Sequence, residues 1–376
     1  MPEESEYSLA SKASTMKIPA PELDYKPKHP KNYQPNIGLI ACGGITEHHL
    51  KAYKSAGFKV VMLCDLIEER AKTRQSQYFP EATITTDYRE VLAREDIEVV
   101  DIATHPKERA PLIQAALLAG KHVLSQKPFV LDLNEGERLV KLASDKGVKL
   151  AVNQNGRWSP HFSYMRQAVK AGLLGDLVSL HFGVHWDHTW TIGTPFENIY
   201  DLVFYDFAIH WFDIFSHLLG DRKITSVFAT RDYAVCQKAK PPLLAQAIIS
   251  FEGGHGSLRF DASLPFGSFD CTYLGGTKGS IKSVGDDLGK QELTLYASEG
   301  VSTPTLEGQW FDDGFHGTMG ELLCAIADNR EPVNSARENL KSLALCFAAI
   351  ASASEEVAKT PGEVRRLPRG SAPGAE

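Results

Sequence analysis

The sequence predicts two domains, an α/β domain with a parallel sheet of the Rossmann type and an α+β domain with a large, mainly antiparallel open sheet. In the first part, short apolar runs alternate with amphipathic stretches, which is typical of parallel strands joined by crossover helices. After about residue 156, strands of alternating apolar and polar residues follow one another across glycine-rich turns. A glycine-containing turn directly after the first apolar run fits the same architecture.

The first domain is predicted to occupy residues 36–156. Its strands are almost continuously apolar, as parallel strands covered on both faces must be; they are IGLIA, VVMLC, VVDIA, HVLS and KLAVN. The predicted helices between them are EHHLKAYKSAG, EERAKTRQSQYF, RAPLIQAALLAG and GERLVKLASDKG. Residues 1–35 contain six prolines and little apolar periodicity, so they are predicted to form an extended N-terminal arm.

The second domain is predicted to occupy residues 157–376. It begins with the helix SYMRQAVKAGLLG, continues with the strand VSLHFGVHW and then reaches an aromatic helix, FYDFAIHWFDIFSHLLGD. Alternating strands follow: ITSVFATRDYAV, LLAQAIISF, HGSLRFDASL, FDCTYLGG, GSIKSV and KQELTLYAS. Two helices, GTMGELLCAIADN and ENLKSLALCFAAIASASEEVAK, complete the predicted domain.

Composition excludes several function classes. The 376 residues are 43% hydrophobic and 23% charged, which is ordinary for a globular protein. A net charge of -7 gives no reason to expect nucleic acid or an anionic membrane as partner, so we expect a small molecule instead. The six cysteines include no CxxC pair, and the acidic N-terminus lacks the features of a secretory signal. These features predict a cytoplasmic protein.

The turn ACGGIT after the first strand is a candidate phosphate-binding loop. Gly43 and Gly44 leave room for a dinucleotide pyrophosphate at the N-terminus of a helix, although Ala41 and Thr46 occupy two positions of the usual glycine pattern. Asp65 ends the next strand about 20 residues later, where a carboxylate accepts the ribose hydroxyls of NAD and repels a 2′-phosphate. The alternative is an ordinary turn with Asp65 as a helix cap. The sequence predicts NAD as cofactor.

The aromatic helix carries one polar stripe. Asp206, His210, Asp213 and His217 follow helical spacing among apolar residues, so this edge must face either solvent or a cleft. One interpretation is a solvated edge with two pairs of about 0.2–0.5 kcal/mol each. The other is a general base, His210, oriented and polarised by Asp206 one turn earlier. Spacing alone does not choose between them.

A second cluster of polar and aromatic side chains lies in HFGVHWDHTW and its surroundings. Flat aromatic faces beside carboxylates and imidazoles suit a sugar site, although alternate residues of such a strand could also fill a core or an interface. The candidates for substrate contacts are Arg157, Trp158, His161, His185, Trp186, Asp187, His188, Asp206, His210 and His316. His181, His185, Asp187 and His188 could also be read as metal ligands, but a strand cannot point all four to one side, so no metal is expected.

The loop ACGGI, Asp65 and the segments ALLAGKHVLSQKP, NQNGRWSPHF and DFAIHWFDI together resemble the Gfo/Idh/MocA oxidoreductases, a family that includes glucose-fructose oxidoreductase and inositol dehydrogenase. The resemblance covers residues 36 to about 360. It implies NAD(P)-dependent oxidation or reduction of sugars and polyols, and a homodimer or homotetramer formed through the large sheet.

The resemblance also assigns residue roles. The family's AGKHVxxEKP motif matches Ala119 to Pro128 and places the catalytic lysine at Lys127, which would bind and polarise the reacting oxygen. Its DxxxH pair falls on Asp206 and His210, and the histidine would take the hydroxyl proton. Asp213 would be a structural or substrate-contacting acid. The contacts to NAD are expected from Gly43, Gly44, Ile45, Asp65, Thr104, His105, Gln126, Lys127 and Asn155.

Three positions depart from the family pattern. Ala41 replaces the first loop glycine, Arg109 stands where many members have a histidine, and Gln126 replaces the glutamate before the lysine. The last change removes a negative charge beside Lys127, which should disfavour its ammonium form.

We therefore expect an NAD-dependent dehydrogenase that oxidises a ring hydroxyl of a sugar or glycoside to a ketone, with carbon 3 as the expected position. Two alternatives stay open. One is a redox-neutral enzyme that retains NAD and cleaves glycosides; the other is a non-catalytic regulator that binds NAD or sugar. Net formation of NADH with a ketosugar distinguishes the dehydrogenase from both.

Overall fold

Two β-sheets organise residues 16–375, the part of the chain that the computed structural model describes; residues 1–15 of the predicted arm lie outside it. The strands of the first sheet are β1 Asn36–Ile40, β2 Lys59–Cys64, β3 Thr83–Thr85, β4 Ile97–Ile102, β5 His122–Gln126 and β6 Leu150–Asn153. They are all parallel, in the order β3-β2-β1-β4-β5-β6, which is the doubly wound order of Rossmann domains. In such sheets ligands bind at the carboxyl ends of the strands, where β1 and β4 diverge.

The helices around this sheet are α1 Thr46–Ala56, α2 Glu68–Tyr78, α3 Tyr88–Ala93, α4 Pro106–Leu118 and α5 Leu133–Lys146. Their ends follow local chemistry. The Asp132 carboxylate accepts a hydrogen bond from the N–H of Asn134 at the start of α5, and Gly147 ends that helix in the left-handed conformation.

The second sheet has eight strands: β7 Leu177–His185, β8 Ile224–Asp232, β9 Leu244–Phe251, β10 Gly254–Asp261, β11 Phe269–Gly276, β12 Gly279–Asp287, β13 Lys290–Ala297 and β14 Gly300–Ser302. Their order is β14-β13-β12-β11-β7-β10-β9-β8, and only the β7–β10 pair is parallel. The predicted fold class, a Rossmann sheet followed by a large, mainly antiparallel open sheet, is confirmed.

One face of the second sheet is covered by helices. A 3-10 turn at Asn155–Trp158 leads into α6 Pro160–Lys170; a π-helical turn at Val203–Phe207 precedes α7 Ile209–Leu219, and α8 Trp310–Ala327 and α9 Ala336–Glu355 follow the sheet. The inward residues of β7, such as Leu180 and Phe182, are buried in one core with α7 and α9. The predicted aromatic helix is thus helical as far as Leu219, and it begins with a wider turn.

Helix α8 returns to the first sheet. Its buried residues Met319, Leu322 and Leu323 pack in the same cluster as Leu39 of β1 and Leu50 of α1. The described part of the arm, residues 16–35, runs along the surface, where the N–H of Ile18 donates to the carbonyl of Val301. A division into domains at residues 156 and 157 stays a prediction. The cleft between the two sheets is bordered by α8 and by the end of β5.

Within residues 16–375, no helix combines the length and the apolar character needed to cross a membrane. All six cysteines are free thiols.

Candidate active site

The backbone of the glycine loop is accessible from a cavity. Ala41 adopts a left-handed conformation with φ 76°, the backbone that the glycine expected at this position would take without strain. Side chains at Gly43 and Gly44 would meet open space rather than protein, so their backbone is accessible at the start of α1. The adjoining cavity of about 420 Å³ is also lined by Arg70, Arg74 and His105. This end of the cleft is a cradle of the kind that holds a pyrophosphate.

Asp65 ties the glycine loop to the end of β2. Its carboxylate accepts hydrogen bonds from the N–H of Cys42 at 2.7 Å and from the N–H of Ile67 at 2.8 Å. Each carboxylate oxygen keeps further acceptor capacity, which a ribose hydroxyl can use. Nearby, the Arg74 guanidinium is paired with Glu47 at 3.0 Å. The residues present fit an NAD molecule with its pyrophosphate at Gly43 and Gly44 and its ribose at Asp65.

Lys127 stands at the end of β5, after which the Lys127–Pro128 peptide bond is cis. Its ammonium lies 2.8 Å from the carbonyl oxygen of Asp206 and 3.3 Å from the carboxylate of the same residue. Both side chains are mostly buried, with 16% of each exposed. The lysine that sequence predicts as catalytic is therefore held across the cleft, with its charge directed at the helix that carries His210.

Arg109 binds the loop that carries Lys127 and Pro128, a role that the sequence did not predict. It is 1% exposed, and its guanidinium donates to the carbonyl oxygens of Thr104 and Pro128, with a longer contact of 3.5 Å to that of Lys127. Burial lowers the pKa of Arg109 to about 10, which leaves it charged at neutral pH. Arg109 thus joins the loop after β4 to the loop that carries Lys127. The Thr104 hydroxyl is buried with no hydrogen-bond partner among the described residues.

Gln126 points away from the lysine ammonium and into a buried polar network. Its amide oxygen accepts from the backbone N–H of Lys127 at 2.7 Å, and its amide nitrogen lies 3.1 Å from Nε2 of His49. The other ring nitrogen of His49 lies 2.8 Å from Asp101, whose carboxylate also accepts from the Tyr53 hydroxyl. Asp101 accepts from Nδ1–H of His49, and Nε2 of the ring accepts from the Gln126 amide, so these groups complete one hydrogen-bonded network.

This network changes the interpretation of the glutamine that replaces the family's glutamate at position 126. Asp206 supplies a carboxylate beside the Lys127 ammonium, so the charge missing from residue 126 is present at another position. A glutamate at 126 could not donate this hydrogen bond to Nε2 of His49, because a carboxylate can only accept. His49 and Asp101 lie far apart in sequence, and no local pattern predicted their contact.

The expected pairing of Asp206 with His210 is wrong. The π-helical turn, in which the N–H of Ala208 donates to the carbonyl of Val203, holds more residues than an α-helical turn. Asp206 is therefore not stacked over His210, and its carboxylate bonds Lys127 instead. Nδ1 of His210 is buried with no hydrogen-bond partner among the described residues. Burial, with the Lys127 charge adding to it, lowers the pKa of His210 well below its usual range, which favours the neutral imidazole.

The second half of the stripe is part of the interior and not of the cleft. Asp213 is fully buried and accepts two hydrogen bonds from Arg157, at 2.5 and 2.7 Å, and another from Ser342. Arg157 also lies 3.2 Å from Nδ1 of His217. The predicted contact of Arg157 with substrate is thus wrong, because both its charge and its donors are already used by the protein.

Three further predicted substrate contacts lie behind the wall of the cleft. Trp158 packs under the Arg166 guanidinium, 4.9 Å from the ring centre, and against Gly317 of α8. His161 is 1% exposed among aromatic rings, and burial lowers its pKa to about 3. His316 lies 2.9 Å from His29 of the arm. None of the three lines the cavity that contains Lys127 and His210, because their helices direct them into the core or toward the arm.

The aromatic strand segment divides between two faces. His185 lies on the open face of the second sheet and is paired with Asp261 at 2.8 Å, so its predicted substrate contact is wrong. Trp186 and His188 lie beyond the end of β7 and do line the cleft, with Asp187 at its outer part.

The four residues weighed as metal ligands do not converge, since His181 bonds two serines and His185 bonds Asp261. Nowhere in residues 16–375 do three such groups form a possible metal site.

The predicted catalytic residues Lys127, Asp206 and His210 line one cavity of about 220 Å³. It is lined by the predicted residues Ile45, Gln126, Lys127, Asn155, Trp186, His188, Asp206 and His210. Several of its aromatic walls were not predicted: Phe207, Trp211, Phe260, Trp310, Phe311 and Phe315. The aromatic and acidic segment QWFDDGF at the start of α8 was the available signal for three of them. A charged lysine, a neutral imidazole and mostly apolar walls can bind a hydroxyl group and accept its proton.

Two family models match the chain. Residues 35–154 match the model described as "Oxidoreductase family, NAD-binding Rossmann fold", and residues 162–282 match the "GFO/IDH/MocA C-terminal domain".

Similar proteins include sugar dehydrogenases. The chain is 26% identical over 344 residues to D-apiose dehydrogenase of Paraburkholderia graminis, covering 84% of this chain and 87% of that protein. It is 26% identical over 334 residues to inositol 2-dehydrogenase of Rhizobium meliloti, covering 85% and 97%. The structure of levoglucosan dehydrogenase with NADH and levoglucosan has a TM-score of 0.76 at 20% identity, covering 88% of this chain and 100% of that one, which shows a common fold.

Proposed function

The chain belongs to the GFO/IDH/MocA oxidoreductase family, and from this premise we propose that it oxidises a ring hydroxyl of a sugar or glycoside to a ketone with NAD. One observation carries the proposal: the Lys127 ammonium, the Asp206 carboxylate and the neutral His210 imidazole line one aromatic-walled cavity at the carboxyl end of the Rossmann sheet. The named relatives, which act on D-apiose and inositol, support a sugar or polyol as substrate.

Each residue of the cavity has a separate role in the proposed reaction. Lys127 donates hydrogen bonds to the substrate oxygen and stabilises the negative charge that develops there as the proton leaves. His210 is the group that receives this proton, because its neutral imidazole lines the same cavity as Lys127. Asp206 fixes the direction of the Lys127 ammonium through two contacts. NAD, held by Gly43, Gly44 and Asp65, supplies the hydride acceptor.

The surroundings make these groups more effective. Phe207, Trp211 and Trp310 form apolar walls beside Lys127, which lower the local dielectric and strengthen the field of its charge. Arg109 keeps the lysine loop and the loop after β4 in fixed relation. A transition state that gains charge on oxygen is stabilised most when the donors are already in place.

The test is a product assay with a matched variant. The purified protein and its Lys127→Met variant are incubated with NAD and a panel of neutral sugars, polyols and glycosides. We expect NADH and a ketone in equal amounts from the wild-type protein, and a loss of about 10²–10³-fold in turnover from the variant with NAD binding retained.

The outcome also separates the alternatives. Release of an aglycone without net NADH would identify a redox-neutral enzyme. Equal turnover by the Lys127→Met protein would remove Lys127 from the reaction. Which carbon is oxidised stays a prediction, with carbon 3 expected, and it is read from the structure of the ketone product.

We further propose that the open face of the second sheet joins copies of the chain into a homodimer or homotetramer. Its exposed apolar side chains include Phe228 at 41%, Ile248 at 62% and Tyr273 at 42%. Contiguous exposed apolar surface on a sheet is typical of protein interfaces. Light scattering at several protein concentrations tests this; a monomer at all concentrations would contradict it. A cytoplasmic location stays a prediction.

A further inference from the structure

The cavity of the reacting groups opens into a larger one. This outer cavity measures about 720 Å³, against about 220 Å³ for the inner one, and the two share Trp186, His188, Trp190 and Trp310. Typical ligand pockets measure about 300–1,000 Å³. The inner cavity is below this range, and its lining includes the expected NAD contacts Ile45, Gln126 and Asn155, so beside the nicotinamide it has room for at most one sugar ring. The outer cavity lies within the range, so the cleft has room for a further group attached to that ring.

The outer cavity offers the chemistry of a carbohydrate site. Trp190 is 54% exposed and Phe311 is 41% exposed, and both line the cavity. The carboxylates of Asp187, Asp286 and Asp287 lie in the same lining. Aromatic faces stack on the CH surfaces of sugar rings, and carboxylates accept hydrogen bonds from their hydroxyls.

The charges of the lining select against anions. Lys51 is its only lysine or arginine among the described residues, and Asp312 already binds this ammonium at 3.1 Å. Three more carboxylates remain without such compensation in the lining. A phosphate or uronate group would therefore be repelled, whereas neutral hydroxyl groups would be bound.

A buried and unpartnered side chain lies at the junction of the two cavities. His188 is 6% exposed, lines both cavities, and has no hydrogen-bond partner for Nδ1 among the described residues. Nε1 of Trp186, stacked against His188, is likewise buried without a partner there. Buried polar groups of this kind are ordinarily satisfied, so two of them at one junction indicate a polar ligand between the cavities.

We propose that the outer cavity is a second sugar subsite and that the substrate is an uncharged glycoside of two or more rings, whose terminal ring enters the inner cavity. This inference rests on the proposed oxidation of a sugar hydroxyl and adds the substrate class to it. His188 and Trp186 then bind the region of the linkage, and Asp286 and Asp287 bind hydroxyl groups of the outer ring.

The experiment compares one-ring with two-ring substrates. The kcat/KM values are measured with methyl glycosides and with the matching α- and β-linked disaccharides, for the wild-type protein and for Asp286→Asn/Asp287→Asn. Both carboxylates are exposed, so the double substitution leaves the fold intact. Glu292→Gln is the matched control, because Glu292 lies on the same hairpin and outside the cavity lining.

We expect the wild-type protein to prefer the disaccharide by at least about tenfold, and the double variant to lose most of this ratio through KM. The control variant should keep it. A disaccharide whose outer ring carries a uronate should be at least about tenfold poorer than its neutral counterpart. A wild-type ratio near one, or a ratio that the double substitution does not change, would overturn the second subsite and leave the proposed oxidation intact.

The absence of any sugar oxidation would test the second subsite separately from the proposed function. If no sugar is oxidised, the proposed function fails, and the subsite is then tested by calorimetry on the NAD-loaded protein with the same disaccharides. Binding that the double variant weakens would support the subsite. Equal binding by both proteins, or no binding, would overturn it.

Discussion

The helical segment 203–219 carries two aspartate and histidine pairs with the same spacing, and the two pairs have different surroundings. Asp206 and His210 face the cleft, where Lys127 lies 3.3 Å from the first carboxylate. Asp213 and His217 face the interior, where both contact Arg157. In neither pair does the aspartate orient the histidine. Each aspartate is bound by a cation from another part of the chain.

The difference shows what a spacing can and cannot predict. The positions of the polar residues predict one stripe, and the structure does place the stripe on one helical segment. The partner of each carboxylate comes from elsewhere: Lys127 follows a strand of the first sheet, whereas Arg157 belongs to the turn before α6. The first pair is available to a substrate because its cation lies in a cavity, and the second stabilises the fold because its cation is buried.

The largest expected effect comes from exchanging one histidine of each pair for glutamine. His210→Gln should lower kcat by about 10²–10⁴-fold, because the variant lacks the proposed acceptor of the hydroxyl proton. His217→Gln should keep turnover, since His217 contacts Arg157 and not the cavity. Steady-state kinetics with NAD and the sugar identified by the product assay measure both. Comparable losses in the two variants would mean that the two pairs do not differ in role.

The second prediction concerns stability. Here the larger effect is expected from the Asp213 pair and the smaller from the Asp206 pair. Asp213→Asn should lower the free energy of unfolding by about 3–5 kcal/mol, because Arg157 would be left as an uncompensated buried charge. Asp206→Asn should change it much less, because Lys127 and Asp206 border a cavity and each is 16% exposed. Urea unfolding followed by circular dichroism gives both values. If Asp213→Asn unfolds at the wild-type urea concentration, Arg157 and Asp213 do not form the structural pair described above.

The smallest effect is a pH dependence. Burial, with Arg157 and other cations nearby, lowers the pKa of His217 well below its usual range. Below pH about 6.5 the unfolded chain therefore binds a proton that the folded chain does not, and stability falls by up to about 1.4 kcal/mol per pH unit for this one histidine.

Substitution removes this contribution. The unfolding free energy of His217→Gln should depend less steeply on pH between about 5 and 6.5 than that of the wild-type protein. Asp270, whose pKa burial raises to about 7, acts with the opposite sign but is common to both proteins, so the difference isolates His217. Parallel stability curves for the two proteins would show that His217 titrates normally in the folded state.

Local patterns were sufficient for the nucleotide end of the site. The glycines of the loop, Asp65 at the end of β2 and Lys127 at the end of β5 are all placed by the order of strands and helices, which apolar periodicity predicts. Their positions at the carboxyl ends of parallel strands bring them to one edge of the sheet without further information.

The sugar end was only partly predictable. Trp186 and His188 were identified from residue type, but His185, one residue before Trp186, faces the opposite side of the sheet. Trp310 and Phe311 reach the same cavity from α8, more than a hundred residues later in the chain. The wrong assignments, Arg157, Trp158, His161 and His316, share one cause: residue type indicates chemistry, and packing decides whether the side chain reaches the cleft or the core.

By itself, the sequence determined the fold class and the positions of the glycine loop and of Lys127 at strand ends, because these depend on local periodicity. The roles of Lys127 and His210 come from the family resemblance and stay predictions. The tertiary structure decided that Asp206 binds Lys127, that Asp213 binds Arg157, and that Gln126 completes a network with His49 and Asp101. The physical reason is that hydrogen bonds and ion pairs act over a few ångströms in space. They join residues whose distance along the chain carries no information about their contact.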